Sequence, residues 1–222
     1  FGLAGRSELQ DITSIEIIGP QLETLRGLAA WQGYPGLTRI LEDPRIRHVH
    51  DDGRRYLSRG DGRYDIIQAD ALRPRSAYAG NLYSESYFRL LRDRLAPGGL
   101  AVTWAPTERI VRTFLRVFPY VALHDQIAIG SADPMSIDGA AMLERVRQRR
   151  VADYYSAAGI DIGTLLAPYA SGWRMVGPLD PRPEGDINTD LHPRDEFDIP
   201  VLIDLPFARD ERLHAPLARL EE

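Results

Sequence analysis

Along the chain, short apolar runs of strand length alternate with stretches in which apolar positions recur at helical spacing. Residues 11–18 (DITSIEII) predict a buried strand, and residues 21–31 carry Leu22, Leu25, Leu28 and Ala29 at the intervals of a helix. Residues 45–50 predict a second strand, 53–58 a short helix and 64–70 (YDIIQAD) a third strand. A helix is expected over 83–95, stopped by Pro97-Gly98-Gly99 before a strand at 100–104. Another helix over 109–118 and a strand pair at 120–123 and 126–129 complete the series. Strands separated by helices of this length make βαβ units. The fold class expected is therefore α/β: a doubly wound, mostly parallel, Rossmann-like sheet with helices on both faces.

Beyond Asp138 the pattern changes. Asp138 is placed to cap a helix running to Tyr155, and a second short helix is expected at 162–169. Residues 172–206 are rich in Pro, Asp and Gly, and 207–222 read as a charged terminal helix. The expected division is a Rossmann-like ligand-binding domain over 1–137, with 138–222 a helical and Pro/Asp-rich C-terminal extension of it. An α/β nucleotide-binding domain opens on a strand, a Gly-rich turn and a helix. Residues 1–5 already read as that helix, so the first strand and its turn are expected upstream of Phe1.

A chain of 222 residues suits a single domain. No apolar run approaches the roughly 18–20 residues of a membrane span, and the first residues lack the basic start and apolar core of an export signal. With no cysteine, disulfides, thiolate metal sites and a Cys nucleophile are excluded, which fits a reducing compartment. All 27 basic residues are Arg, so Schiff-base chemistry and a phosphate-loop Lys are excluded too. A net charge of -5 without a sustained Arg stripe argues against nucleic-acid binding. His48, His50, His124, His192 and His214 have no spacing that places two on one helix face, so no metal is expected.

Chemistry-bearing residues fall where an open α/β sheet displays its ligand, at the carboxyl ends of parallel strands. Glu16 lies near the end of the first visible strand, where a carboxylate with two acceptor oxygens can take both hydroxyls of a ribose; a surface or capping Glu is the plainer reading. Asp52 and Gly53 follow the second strand. That Asp can accept from an adenine amine while Gly lets the base approach, although Asp-Gly is also a common turn and Asp a common N-cap. Asp70 ends YDIIQAD, placed either to orient a nucleophile and take its proton or to cap a turn. Tyr78 and Tyr83 sit in the following loop and helix start, where they can line an acceptor pocket or simply pack.

From Ile12 to Val121 the chain resembles the spermidine synthase family, the polyamine aminopropyltransferases, whose fold is similar to that of class I adenosylmethionine-dependent methyltransferases. The resemblance rests on IEII at 15–18, HDDGRRYL at 50–57, YDIIQAD at 64–70 and LYSESYFRLLRDRLAPGG at 82–99, in that order and spacing. It implies Glu16 for the ribose, Asp52 and Gly53 for adenine, and Asp70 as the base that deprotonates the attacking amine. DINTDLHPRDEF at 186–197 resembles a C-terminal segment of a bacterial branch of spermidine synthase-like proteins, some with transmembrane helices ahead of the synthase domain; a solvated turn is the plainer reading.

One departure bears on the substrate. Aminopropyltransferases usually carry a second Asp three residues after the catalytic one, followed by Pro, and here Arg73-Pro74 stands in that place. At about 4 Å and an effective dielectric near 20, two unit charges interact by roughly 4 kcal/mol, so an inward Arg73 disfavours a dicationic diamine. An outward Arg73 merely removes one carboxylate. The function expected is aminopropyl transfer from decarboxylated S-adenosylmethionine to a small-molecule amine, in polyamine biosynthesis. The alternatives are a user of intact S-adenosylmethionine such as a methyltransferase, with Arg73 on the ligand carboxylate, and a non-catalytic binding domain of a larger membrane-tethered protein. A homodimer and a cytoplasmic location are expected, with no membrane segment and no nucleic-acid partner.

Overall fold

The structure is a computed structural model and describes residues 3–6, 8–33, 35–69 and 72–197. In chain order its elements are β1 (Ile12–Glu16), α1 (Gln21–Gln32), α2 (Pro35–Glu42), β2 (Ile46–His50), α3 (Gly53–Arg59) and β3 (Tyr64–Ala69). A 3-10 turn at Ala79–Leu82 precedes α4 (Glu85–Asp93), β4 (Leu95–Trp104), α5 (Glu108–Val117), β5 (Tyr120–His124) and β6 (Ile127–Ser131). Then come α6 (Gly139–Arg147), α7 (Arg149–Ser156), α8 (Ile162–Leu166), a second 3-10 turn, β7 (Arg174–Val176) and α9 (Arg194–Phe197). Two compact units result, one of residues up to 63 together with 134–175, the other of residues 64–133 together with those from 176 on.

In the first unit β1 and β2 pair in parallel, Ile12 opposite Ile46 and Glu16 opposite His50. The expected buried strand is shorter and less buried than its apolar residues imply. It stops at Glu16, and Ile17 and Ile18 lie beyond it, 63% and 58% exposed. The reason is local: Gly19-Pro20 follows, and Glu16 Oε1 accepts from the Ile18 amide at 2.9 Å, turning the chain out of the ladder. Helix α1 forms where its spacing predicts and ends on Gly33 at φ 61, but it buries no residue. Helix α2, missed among the expected elements although Leu37, Ile40 and Leu41 stand at helical spacing, starts on Pro35, whose fixed φ and missing N–H suit the first helical position.

The core of this unit is Val146, Val151 and Tyr155, with Tyr154, Ile160, Ile162 and Leu166 packed against it. Asp138 caps α6 as expected, accepting from Ala141 N. The single helix expected from Asp138 to Tyr155 is instead two, because Gln148 leaves helical backbone at ψ 128 and serves as the C-cap of α6 and N-cap of α7. The helix expected over 1–5 is also corrected, since Leu3–Gly5 form a turn; Phe1 and Gly2 lie outside the described residues. The Arg45 guanidinium, held by Asp43, donates to the carbonyls of Ala4 (2.8 Å), Arg6 (2.9 Å) and Leu9 (3.2 Å), which fixes this stretch beside β2.

The second unit holds a five-stranded sheet in the order β3-β4-β6-β5-β7. β3 and β4 are parallel, and the hairpin β5–β6 joins antiparallel to β4 through β6. The two-residue hairpin loop places Asp125 at φ 47, a left-handed conformation that Asp tolerates better than most residues. Pro97-Gly98-Gly99, expected to stop a helix, lies inside β4 as a register shift. Gly98 supplies φ 72 there, and its N–H is held by Asp133 at 2.7 Å. Helix α4 accordingly ends at Asp93, and it starts at Glu85 rather than at 83, because Ser84 is its cap.

Phe88 meets Phe114 edge to face at 5.0 Å and Phe114 packs tilted against Phe118 at 4.5 Å, with Leu91, Ile110 and Val121 fully buried around them. The expected terminal helix over 207–222 lies outside the described residues. No helix among the described residues is long and apolar enough to cross a membrane.

Candidate functional site

In the first unit, β1 and β2 deliver Glu16 and Asp52 to the same end of a parallel pair, and the Asp51 amide donates to the Glu16 carbonyl at 3.1 Å. Asp52 caps α3, accepting from Arg55 N at 2.7 Å, so its other carboxylate oxygen is the one left for a ligand. Asp51 accepts from the Asp52 amide and from the Arg55 guanidinium. That hydrogen bond is the main reason its carboxyl is held below the usual range. A Cβ built on Gly53 would meet nothing within 4 Å, so packing among the described residues does not demand glycine. The open space beside that backbone is what a flat base approaching a main-chain N–H needs. Among the described residues no group of three His, Asp or Glu side chains is placed to hold a metal.

Asp70 lies outside the described residues; β3, which leads to it, ends at Ala69. Of the other candidates in the second unit, Arg73 is exposed and its carbonyl closes a turn by accepting from Ser76 N at 2.8 Å. Tyr78 is 79% exposed and takes φ 68, unusual for an aromatic residue. Tyr83 is fully buried, and its hydroxyl donates to the Leu72 carbonyl at 2.8 Å, fastening the segment that carries Arg73.

The densest polar structure in this unit is one that composition presents as a solvated turn. Asp195 is 2% exposed, and its carboxylate accepts from Arg109 Nη1 at 2.6 Å, Thr107 Oγ1 at 2.8 Å and Asn188 Nδ2 at 2.8 Å. Asn188, fully buried, receives the Asp195 amide on its Oδ1 and donates its own amide to Thr113 Oγ1. Asp186 meets Arg109, Arg112 and Arg194. Burial alone would raise its pKa, but the Arg109 hydrogen bond and the three positive charges outweigh burial and lower it. Glu196 accepts from the Tyr78 and Gly80 amides at 2.9 and 3.1 Å. No hydrophobic periodicity marks Thr107, Arg109, Asn188, Asp195 or Glu196. The only signal in the sequence is the density of multi-valent polar side chains over 186–197. A cavity of about 600 Å³ in the first unit is lined by Arg39, Arg149, Arg150, Asp153 and Tyr154 and contains none of the candidate residues.

Residues 28–113 match the spermine/spermidine synthase domain. This bears out the family resemblance read from the sequence, and the matched stretch runs from α1 into α5, with Asp52, Gly53, Asp70, Arg73, Tyr78 and Tyr83 inside it. A polyamine aminopropyltransferase of Aeropyrum pernix is 38% identical over 90 residues, 36% of this chain and 29% of its own length. Polyamine aminopropyltransferase 1 of Pseudomonas aeruginosa is 28% identical over 190 residues, 75% of this chain and 64% of its own length. The chain thus spans less than two thirds of either relative. A crystal structure of spermidine synthase in complex with the transition-state analogue AdoDATO aligns over 75% of this chain and 63% of that one, with a TM-score of 0.50 and 15% identity. The likeness is one of fold, and it bears out the Rossmann-like α/β class.

Proposed function

We propose that the protein is a transferase of the spermidine synthase type, moving the aminopropyl group of an adenosyl sulfonium, decarboxylated S-adenosylmethionine, to a small amine. The observation that carries this reading is the synthase-domain match over residues 28–113, which takes in Asp52, Gly53 and Asp70. Glu16 would take the two ribose hydroxyls, its free oxygen and the Oε1 now on Ile18 N both within reach of rotation. Asp52 would accept from the adenine amine, with the base lying over Gly53. Asp70 would accept the proton of the attacking amine. The amine nitrogen forms a bond to the carbon next to sulfur as the C–S bond breaks to release a neutral thioether, so positive charge passes from sulfur to nitrogen and is then discharged as a proton that neutralises the Asp70 carboxylate. Sulfonium is already a good leaving group, so catalysis is chiefly orientation, with the base supplying the rest.

A second reading, transfer from intact S-adenosylmethionine, is favoured by Arg73 standing where the family usually carries Asp. An arginine pairs with the carboxylate that only the intact ligand has. Titration of the full-length protein with decarboxylated adenosylmethionine, adenosylmethionine and methylthioadenosine, followed by turnover with putrescine, tests both. Preference for the decarboxylated donor and transfer to an amine support the first reading. Preference for the intact donor, with loss of that preference in Arg73→Ala, replaces it with the second, and no binding of any of the three overturns both.

A further inference from the structure

Tyr78 is a bulky residue held at φ 68, ψ 2, with its ring 79% exposed. Left-handed backbone brings Cβ against the neighbouring carbonyl, so only a surrounding structure that over-determines the conformation keeps it there. That surrounding structure is visible, and it comes from far along the chain. The two oxygens of Glu196, 118 residues away, accept from the amides of Tyr78 (2.9 Å) and Gly80 (3.1 Å), bracketing the start of the 3-10 turn. Pro193 seats on the same turn. A Cβ at Gly80 would lie 2.1 Å from Pro193 Cβ, so the close approach needs glycine.

Between Pro193 and Glu196 lies Asp195, whose buried bonds to Thr107, Arg109 and Asn188 tie this short segment to the start of α5. One end of the segment is thus anchored in the core and the other grips the Tyr78 loop. Tyr83, donating to the Leu72 carbonyl, fixes the loop from its other side. The Tyr78 ring that this bracing orients is itself in solvent. An aromatic face presented in this way attracts an ammonium group.

Resting on the aminopropyl-transfer reading, we propose that Glu196 is a positioning residue for the amine acceptor. By holding the Tyr78 backbone in the left-handed region it presents the ring on which the acceptor's ammonium stacks.

The test uses the full-length protein and the variants Glu196→Ala, Glu196→Gln, Tyr78→Ala, Tyr78→Phe and the Glu196→Ala/Tyr78→Ala pair, with putrescine and spermidine as acceptors. Tyr78→Ala and Glu196→Ala should each raise the acceptor KM about tenfold with kcat nearly unchanged, and Tyr78→Phe should leave it alone. Glu196→Gln, which keeps one acceptor oxygen, should fall between. The double variant should be no worse than Tyr78→Ala, because both changes act through one ring. Amide exchange at Tyr78 and Gly80 should quicken in Glu196→Ala, while methylthioadenosine affinity stays the same.

Additive effects, or acceptor KM and nucleoside affinity moving together, would overturn the proposal, as would a Tyr78→Ala protein with unchanged acceptor KM, a variant in which only an exposed ring is lost. A parent that binds amine calorimetrically without transferring to it overturns the function and not this inference, which the same variants then decide on amine affinity. A parent that binds no amine in the presence of methylthioadenosine overturns the inference.

Discussion

The Asp195→Ala protein should be much less stable, and the structure sets the size of the loss. The substitution removes three accepted hydrogen bonds, from Arg109 at 2.6 Å and from Thr107 and Asn188 at 2.8 Å each, at a side chain only 2% exposed. Breaking a buried ion pair by deleting one partner costs about 3–5 kcal/mol, since the other charge is left without compensation. Arg109 keeps Asp186 at 3.0 Å, so the lower end of that range applies, about 3 kcal/mol. With a urea m-value of about 2–3 kcal/mol/M, the midpoint should fall by roughly 1–1.5 M at unchanged m.

Asp195→Asn preserves the shape and one acceptor oxygen but turns an amide donor toward Thr107 or Asn188, so its loss should be smaller, about 1–2 kcal/mol. Deleting both charges, in Arg109→Met/Asp195→Ala, should cost less than the sum of the single changes, because no orphaned charge remains between them. Urea titration followed by tryptophan fluorescence and far-ultraviolet circular dichroism reads all of these. A midpoint shift under about 0.3 M for Asp195→Ala, or equal shifts for Ala and Asn, would show that the carboxylate is not buried in its pair and would refute the reasoning.

Other consequences can be checked by simple means. Asp186 has a folded pKa below that of the unfolded chain, so its stabilisation is complete above the ordinary carboxylate pKa near 3.9 and is lost as pH falls through the folded value. Asp186→Asn should therefore flatten the acid limb of the stability profile below about pH 4, and an unchanged limb in thermal melts over that range would refute the assignment. Gly80→Ala should lower stability by about 1–3 kcal/mol through overlap with Pro193, measured by the same urea titration; a neutral result would mean that the turn and Pro193 are not in contact. On the proposed aminopropyl transfer, an Arg73 that faces the acceptor predicts that Arg73→Asp improves putrescine turnover by removing a repulsive charge and supplying a carboxylate to the distal ammonium. Unchanged or poorer turnover would place Arg73 in solvent with respect to the substrate.

Local chemistry made much of this molecule legible from its sequence. Strands β1, β2, β3 and β4 and helices α1, α3, α4 and α5 announce themselves through apolar spacing, and the hairpin β5–β6 through two short runs with a polar turn between them. The Asp138 and Asp52 caps could be placed for the same reason: a cap needs only a short polar side chain and the amides that follow it. The strand-end positions of Glu16 and Asp52 follow from strand direction alone.

What the sequence could not decide were outcomes set by partners remote along the chain. Ile17 and Ile18 are a local exception: they read as strand core, yet the turn held by Glu16 leaves them in solvent. Pro97-Gly98-Gly99 reads as a break, yet pairing with β3 and the Asp133 carboxylate absorbs it into β4 as a register shift. Most of all, 186–197 has the composition of a solvated turn. Its Asn188 and Asp195 are buried because Thr107, Arg109 and Thr113 supply their hydrogen bonds from some 75 to 88 residues away. A polar side chain is buried only when its partners meet it, and no local pattern encodes that meeting. The left-handed Tyr78 belongs to the same class, since a strained backbone is kept by whatever grips it, and here that is Glu196, reachable only once the chain has folded.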